Sequence, residues 1–318
     1  MGSRIDRGDG VAAGLRVALL LAALIALAGT AAGAAPPPDL SGLWTNQSLT
    51  ALERPKDLTT LVLTPAEAQA YEAKWRGKPP PIEDDVGGAD SEWWETDVGL
   101  ARIRGQARTS WIVAPADGKL PFTAAAKARN MARAARRKLP MDNPEDRGRS
   151  DRCLPGAAAG PPMLNGGYND NYTFLQTRDA LVIQAEYFGD VRIVRLDPGA
   201  KHPPRSVRRW LGDSIGRWEG ATLVIETTNF MPLEIDAANG DAAADMTVTE
   251  RLTRLGPDEL SYVFTVRNPA RFVMPWQGEM VMRTTKGPMF EFACHEGNYA
   301  LRSMLSAARQ ADAAVPAP

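Results

Sequence analysis

The sequence predicts a mainly β protein, in which an antiparallel sheet closes into a barrel or forms a pair of curved sheets, with helices packed outside. Short segments rich in β-branched and aromatic residues follow one another from residue 172 onward, and tight-turn signals such as Gly189-Asp190 join them. The chain has 318 residues, 44% of them hydrophobic, which is enough for a substantial core. The predicted strands are 172–176, 181–188, 191–196, 222–227, 246–254, 260–267, 279–285 and 289–293.

Residues 35–150 predict a region of strands and helices that packs on the barrel. Segments 39–45 and 109–113 have strand patterns. Thr64 and Glu67 form a capping-box pattern with Pro65 at the first helical position, which predicts a helix to about residue 76. The segment 123–137, rich in alanine and arginine, predicts a second helix with a solvated cationic face.

Residues 151–310 are expected to form the barrel core, ending in a helix over about 296–309. Residues 311–318 have the alanine and proline composition of a disordered tail.

The first 34 residues resemble a secretory signal peptide. Arg4, Arg7 and Arg16 precede the apolar run 17–27, and small residues at 32–34 suit a signal peptidase. The alternative is an uncleaved anchor, but the apolar run is much shorter than the roughly 20 residues that a bilayer span requires. We therefore expect a periplasmic or secreted protein with no stable membrane span in the mature chain.

Charge and motif content narrow the function classes. The formal net charge is −1 at pH 7, so we expect no nucleic-acid partner. The sequence has no convincing metal-ligand spacing, no phosphate-binding glycine loop and no Gly-x-Ser-x-Gly motif. We expect no metal and no cofactor, and a small molecule as the partner.

Cys153 and Cys294 are the only cysteines. In an oxidising compartment a pair of cysteines favours a disulfide, and here only one pairing exists. Two buried free thiols and a catalytic thiol are the alternatives.

Several short blocks together resemble a large family of exported bacterial proteins of unknown function, over about residues 39–309. The Gly-Leu-Trp at 42–44 is also similar to the start of lipocalin-type barrels, so the resemblance implies a lipocalin-like barrel. Asp170 departs from the family pattern, which has asparagine there. The blocks are Arg-Cys-Leu-Pro-Gly (152–156), Gly-Pro-Pro (160–162), Gly-Tyr-Asn-Asp-Asn-Tyr (167–172), Trp-Leu-Gly-Asp-Ser (210–214), Gly-Arg-Trp-Glu-Gly (216–220), Glu-Thr-Thr-Asn-Phe (226–230) and Cys-His-Glu-Gly-Asn-Tyr (294–299).

Four charged residues lie at every-second-residue spacing from less polar residues in the predicted strands, so they share a strand face with them. These are Glu186, Arg192, Glu226 and Glu250. A barrel strand shows every second side chain to the interior, so these groups are predicted to converge there. The alternative is that they form ion pairs on the outer face.

The two histidines, His202 and His295, are the side chains best suited to proton transfer near neutral pH. His295 adjoins Glu296 at the junction of the last strand and the last helix, where both could face a barrel mouth. In the alternative, Glu296 caps the helix and His295 packs locally. The predicted catalytic residues are His295, Glu296 and Glu186.

The amide and hydroxyl groups around 168–172 could orient a polar ligand, although Asx turns explain the asparagines equally well. Asp213 is a turn residue or an acid, and Trp218 is core or cavity wall. The predicted ligand-binding residues are Asn169, Asn171, Tyr172, Arg192, His202, Asp213, Trp218, Glu226, Glu250 and Tyr299.

Together these features favour an exported cofactor-independent acid–base enzyme, of the lyase, isomerase or hydrolase type, that acts on a small, partly apolar molecule in a barrel cavity. The alternative is a non-catalytic periplasmic carrier of a small hydrophobic ligand. A structural role would not explain why the aromatic and charged groups cluster so unevenly.

Overall fold

A computed structural model describes residues 1–2, 36–76, 78, 98–136, 143–148, 151–154, 160–232 and 244–314. The chain divides into two units, Met1–Pro37 and Pro38–Pro318. Almost all of the predicted signal peptide lies outside the described residues. In the part of the chain that is described, no helix combines the length and apolar character needed to cross a membrane.

Thirteen strands and three helices are present in the described residues. The helices are α1 (Pro65–Trp75), α2 (Ala124–Arg136) and α3 (Ala300–Ala314). The strands before residue 150 are β1 (Gly42–Thr45), β2 (Val62–Leu63), β3 (Arg102–Ile103), β4 (Gln106–Arg108) and β5 (Ile112–Ala114). The later strands are β6 (Asn171–Gln176), β7 (Ala180–Ala185), β8 (Val191–Arg195), β9 (Asp213–Glu219), β10 (Thr222–Thr228), β11 (Thr247–Arg254), β12 (Glu259–Arg267) and β13 (Trp276–Thr284). Short 3-10 turns occupy Pro144–Asp146 and Tyr187–Gly189.

Nine of the strands form a closed barrel in the order β1, β6, β7, β8, β9, β10, β11, β12, β13, with β13 pairing back to β1. All barrel pairs are antiparallel except β8 and β9, which run parallel with Val194 opposite Ser214. The predicted mainly β class with a mostly antiparallel barrel and peripheral helices is confirmed. Strand β5 extends the sheet beside β13, and β2, β4 and β3 form a separate small sheet.

Several element boundaries differ from the prediction. Strand β1 belongs to the barrel itself, although residues 35–150 were expected only to pack on it. Residues 289–293 are not a strand, and Asp213–Glu219 is one that was not predicted. Helix α3 begins and ends later than expected, so residues 311–314 are helical rather than part of a disordered tail.

The elements follow from local sequence rules. In β12, Leu260, Tyr262 and Phe264 are buried and alternate with less buried neighbours, as a strand between a core and an outer face requires. Helix α1 begins at the predicted capping box: Thr64 accepts a hydrogen bond from the Glu67 backbone N–H, and the Glu67 carboxylate accepts one from Thr64 N.

Large side chains fill the centre of the barrel. Trp44, Tyr172, Phe174, Tyr262, Phe264 and Trp276 are at most 2% exposed. Met163, from the loop before β6, is in the same buried cluster, and its backbone N–H donates to the Tyr262 hydroxyl at 3.0 Å. Small barrels are typically filled in this way.

The predicted disulfide between Cys153 and Cys294 is confirmed. It joins the segment that leads into β6 to the segment after the last barrel strand, 141 residues later. In the chain-entropy model, closing a loop of this length stabilises the fold by about 5 kcal/mol.

Candidate functional site

Two of the predicted inward-facing residues meet in the barrel core. Arg192 on β8 and Glu250 on β11 are 3% and 0% exposed, and both guanidinium Nη atoms donate to the Glu250 carboxylate. The Tyr262 hydroxyl donates to Glu250 Oε1 at 2.8 Å. These bonds join the predicted ligand-binding groups to one another within the packed core.

Electrostatics favour the charged form of Arg192 and the neutral form of Tyr262. Burial alone would lower the pKa of Arg192, but the adjacent Glu250 carboxylate outweighs it, so the pKa is raised. Burial, with the same carboxylate, raises the pKa of Tyr262 well above its usual value. Tyr262 therefore remains a proton donor to Glu250, and the ion pair acts as a structural element of the core.

The inward orientation predicted for Glu226 is wrong. On β10 the inner residues are Leu223, Ile225 and Thr227, so Glu226 falls on the other alternation. Glu186 comes directly after β7, where the backbone has helical φ and ψ angles, so strand alternation does not set its direction. The Glu226 side chain is 54% exposed on the outer face. Glu186 is buried, and its carboxylate accepts hydrogen bonds from Asn171 Nδ2 at 2.7 Å and from the Phe290 backbone N–H at 2.8 Å.

The predicted catalytic residues do not come together. His295 and Glu296 are exposed in the turn that follows Cys294. Within the described residues, neither side chain forms a hydrogen bond or an ion pair with Glu186. Nor does Glu296 cap the last helix, since α3 begins at Ala300, whose backbone N–H donates instead to Asn298 Oδ1 at 3.1 Å.

The other predicted ligand residues are scattered. Tyr172 is fully buried in the barrel core, and Trp218 packs against that core from a partly exposed position. Asn169 has a left-handed backbone with φ 53°, as expected of an Asx-rich turn. Tyr299 is 72% exposed at the start of α3. Tyr172 lies close enough to Arg192 to contribute to the raised pKa of that guanidinium, so it belongs to the same buried region as the Arg192–Glu250 pair.

Three predicted ligand residues do meet on the outer face of the barrel. His202 Nδ1 lies 2.7 Å from Asp213 Oδ2, and His202 Nε2 lies 3.5 Å from Glu226 Oε1. Arg195 Nη2 donates to the same Asp213 oxygen at 2.6 Å, and Arg209 Nη1 lies 3.9 Å from Asp213 Oδ1. These five residues are called the His202 cluster below.

The His202 cluster depends on the parallel pairing of β8 and β9. This pairing places Arg195, at the end of β8, next to Asp213, at the start of β9. Glu226 lies opposite Ile215 on β10 and so shares the outer face with Asp213. His202 comes from the loop that connects β8 to β9.

Specific contacts hold that loop against the sheet. Asn229 Nδ2 donates to the Pro203 carbonyl at 2.9 Å, and Arg195 Nη2 donates to the Lys201 carbonyl at 3.2 Å. Gly212 has φ +72° and would place a Cβ 2.7 Å from the Thr228 carbonyl oxygen, so only glycine fits there. The histidine is therefore positioned by backbone and side-chain contacts on both sides.

The geometry is suited to proton transfer. The Asp213 side chain is 4% exposed and lies within hydrogen-bond distance of Arg195 and His202. The His202 side chain is 23% exposed. When Nδ1–H donates its hydrogen bond to Asp213, the lone pair of His202 lies on Nε2, on the side of Glu226 and solvent. A histidine oriented in this way can take a proton from a bound molecule and return it.

Arg195 and Arg209 were not predicted as site residues. Arg195 has the opposite strand alternation to Arg192, and that alternation is the one signal in the sequence that could have placed it on the outer face. Among the described residues, no group of three or more His, Cys, Asp or Glu side chains could hold a metal ion.

A separate cleft of about 310 Å³ lies beside β1, β3 and β13. Its lining includes Gln47, Arg102 and Arg283, and no predicted site residue contributes to it.

Comparison with known proteins adds no assignment: no family model, no curated protein and no solved structure matches this chain.

Proposed function

We propose that the protein is an exported acid–base enzyme that needs no cofactor, in which His202 transfers the proton. The observation that carries this proposal is the arrangement of the imidazole: Nδ1 lies 2.7 Å from the nearly buried Asp213, and Nε2 faces the half-exposed Glu226 and solvent. An oriented imidazole backed by a carboxylate is a general means of making a base at neutral pH.

The other members of the His202 cluster have separate roles in this proposal. Asp213 fixes the ring and stabilises the imidazolium that forms when Nε2 takes a proton. Arg195 holds Asp213 in place through its 2.6 Å bond. Glu226, half exposed and 3.5 Å from Nε2, is a second group that can accept or return a proton. Two such groups suit a lyase, an isomerase or a hydrolase acting on a small, partly apolar molecule.

Export is supported by the sequence and by the disulfide. The N-terminal segment has the pattern of a signal peptide. A structural disulfide such as Cys153–Cys294 persists in an oxidising compartment. We therefore propose a periplasmic or secreted location.

The alternative, a carrier of a small hydrophobic ligand inside the barrel, has weaker support. In the described part of the chain, fully buried aromatic side chains occupy the centre of the barrel. A ligand there would have to displace them.

The proposal is tested by incubating the disulfide-bonded mature protein with a small-molecule extract of bacterial cells and following the mixture by mass spectrometry. We expect the native protein to consume at least one compound, with a new product, and the His202→Gln variant to consume it far more slowly. Equal consumption by both proteins would refute the role of His202. A compound that co-purifies without change, with no compound consumed, would favour the carrier.

A further inference from the structure

An exposed apolar row lies on the outer face of the barrel, beside the His202 cluster. Leu175 on β6 pairs with Val182 on β7, and Val182 pairs with Ile193 on β8. Leu175 is 55% exposed and Ile193 is 58% exposed, and Val182 is half-buried between them. The row crosses three neighbouring strands, so it is about 10 Å long.

The apolar row leads directly to the His202 cluster. Ile193 and Arg195 are two residues apart on β8, so their side chains share the outer face at a spacing of about 7 Å. Arg195 in turn contacts Asp213, the residue that binds His202. A molecule that lies along the row and extends past Ile193 therefore reaches the imidazole.

The loop over the His202 cluster is strongly cationic. Residues 196–212 contain four lysine or arginine side chains and a single carboxylate, Asp197, although the whole chain has a formal net charge of −1. The Arg209 side chain is 64% exposed and lies beside Asp213. With Arg195, Asp213 and Glu226 included, the loop and the cluster together have five lysine or arginine side chains against three carboxylates, so an anionic group is still favoured at this end of the row.

The row suits one hydrocarbon chain better than a membrane or protein surface. The next row on the same face contains Thr173, Gln184 and Val191, of which the exposed Gln184 is polar and only Val191, at the β8 end, is a large apolar residue. The apolar surface is therefore narrow, and smaller than the patches of several hundred Å² that mark most macromolecular docking sites.

Building on the function proposed above, we propose that the substrate is an amphipathic carboxylate. Its headgroup lies at Arg195 and Arg209, next to His202 Nε2, and its alkyl chain lies along Ile193, Val182 and Leu175. A guanidinium group binds a carboxylate with charge-assisted hydrogen bonds, and the alkyl chain removes exposed apolar surface from water.

The test is the dissociation constant of decanoate, measured by calorimetry on the mature protein below the micelle concentration, with acetate and decanol as comparison ligands. Decanoate should bind more tightly than either one. Ile193→Thr removes part of the apolar row and keeps the strand preference, and should weaken decanoate binding about fivefold. The matched control is Leu255→Thr, because Leu255 is 54% exposed in the turn between β11 and β12 and should be without effect.

Equal weakening in both variants, or no binding of decanoate, would overturn the inference. Binding to vesicles of anionic phospholipid that depends on Ile193, without decanoate binding, would also overturn it and would indicate a membrane surface instead. The His202→Gln variant separates this inference from the proposed function, since it should still bind decanoate even though it loses turnover. Decanoate binding combined with full turnover in His202→Gln would refute the catalytic role alone.

Discussion

Asp190 provides a sharp test of the electrostatics at the start of β8. It follows the Tyr187–Gly189 turn, and its Oδ2 atom is buried with no hydrogen-bond partner among the described residues. Burial raises the pKa of this carboxyl to about 6. We predict that Asp190→Asn, which keeps the shape and removes the charge, stabilises the protein at neutral pH.

The magnitude follows from the pKa shift. An unperturbed aspartate has a pKa near 3.9, so the shift is about 2 units, and each unit corresponds to about 1.4 kcal/mol. Partial exposure of Asp190 reduces the effect, and we expect a gain of about 1 to 2 kcal/mol in the free energy of unfolding.

The stability difference between the native protein and Asp190→Asn depends on pH. Below about pH 4 the carboxyl is protonated in the folded and the unfolded chain, so the substitution should have little effect. As pH rises toward about 6, the unfolded chain ionises first, and the native protein loses stability relative to the variant. Above about pH 7 the difference should be constant.

Urea unfolding of both proteins between about pH 4 and pH 8 measures this difference directly. The matched control is Asp179→Asn, because a hydrogen bond from Arg178 lowers the pKa of Asp179. Removing that carboxylate should give no gain in stability at neutral pH. A difference between the native protein and Asp190→Asn that is the same at every pH would show that ionisation of the Asp190 carboxyl does not cause it.

Three further predictions concern the barrel core and the disulfide. Glu250→Gln leaves the Arg192 charge buried without its partner, and should cost about 3 to 5 kcal/mol in urea unfolding, whereas adding Arg192→Met to it should recover part of the loss. A Cβ at Gly278 would lie 2.2 Å from the Phe264 ring. Gly278→Ala should therefore destabilise the protein by about 1 to 3 kcal/mol, whereas Gly256→Ala, where nothing lies within 4 Å, should have little effect. Reducing the single disulfide should cost up to about 5 kcal/mol, and an unchanged thermal midpoint after reduction would contradict its structural role.

Local patterns were sufficient to predict the fold class. Alternation in segments such as 260–267 and turn signals between them predict an antiparallel barrel, and the capping box at Thr64 predicts α1. The inward position of Glu250 also follows from alternation, because the apolar residues Val248 and Leu252 share its side of β11. The sequence is less clear for Arg192, because Val191 and Ile193 are apolar on the opposite, outer face of β8.

Alternation failed where both faces of a strand are apolar. On β10, Leu223, Val224 and Ile225 are all buried, so the pattern cannot tell which face holds Glu226. The two faces of β7 are similarly ambiguous, since Val182 and Ile183 are both apolar. In such strands the long-range packing decides the orientation.

The meeting of His202 with Asp213 could not be predicted from local sequence. It requires the one parallel pair in the barrel, and the long loop 196–212 that joins β8 to β9 has no sequence pattern that predicts the direction of pairing. His295, in contrast, lies beside an acidic residue in the sequence, yet its turn is exposed, and no side chain among the described residues forms a hydrogen bond or an ion pair with it.

The presence of only two histidines allows the central claim to be tested with a matched pair of variants. The measurement is kcat/KM for the compound that the native protein consumes, in His202→Gln and in His295→Gln. We predict that kcat/KM falls by a factor of about 10² to 10⁴ in His202→Gln and stays close to the native value in His295→Gln. A large loss in His295→Gln with His202→Gln unaffected would contradict it.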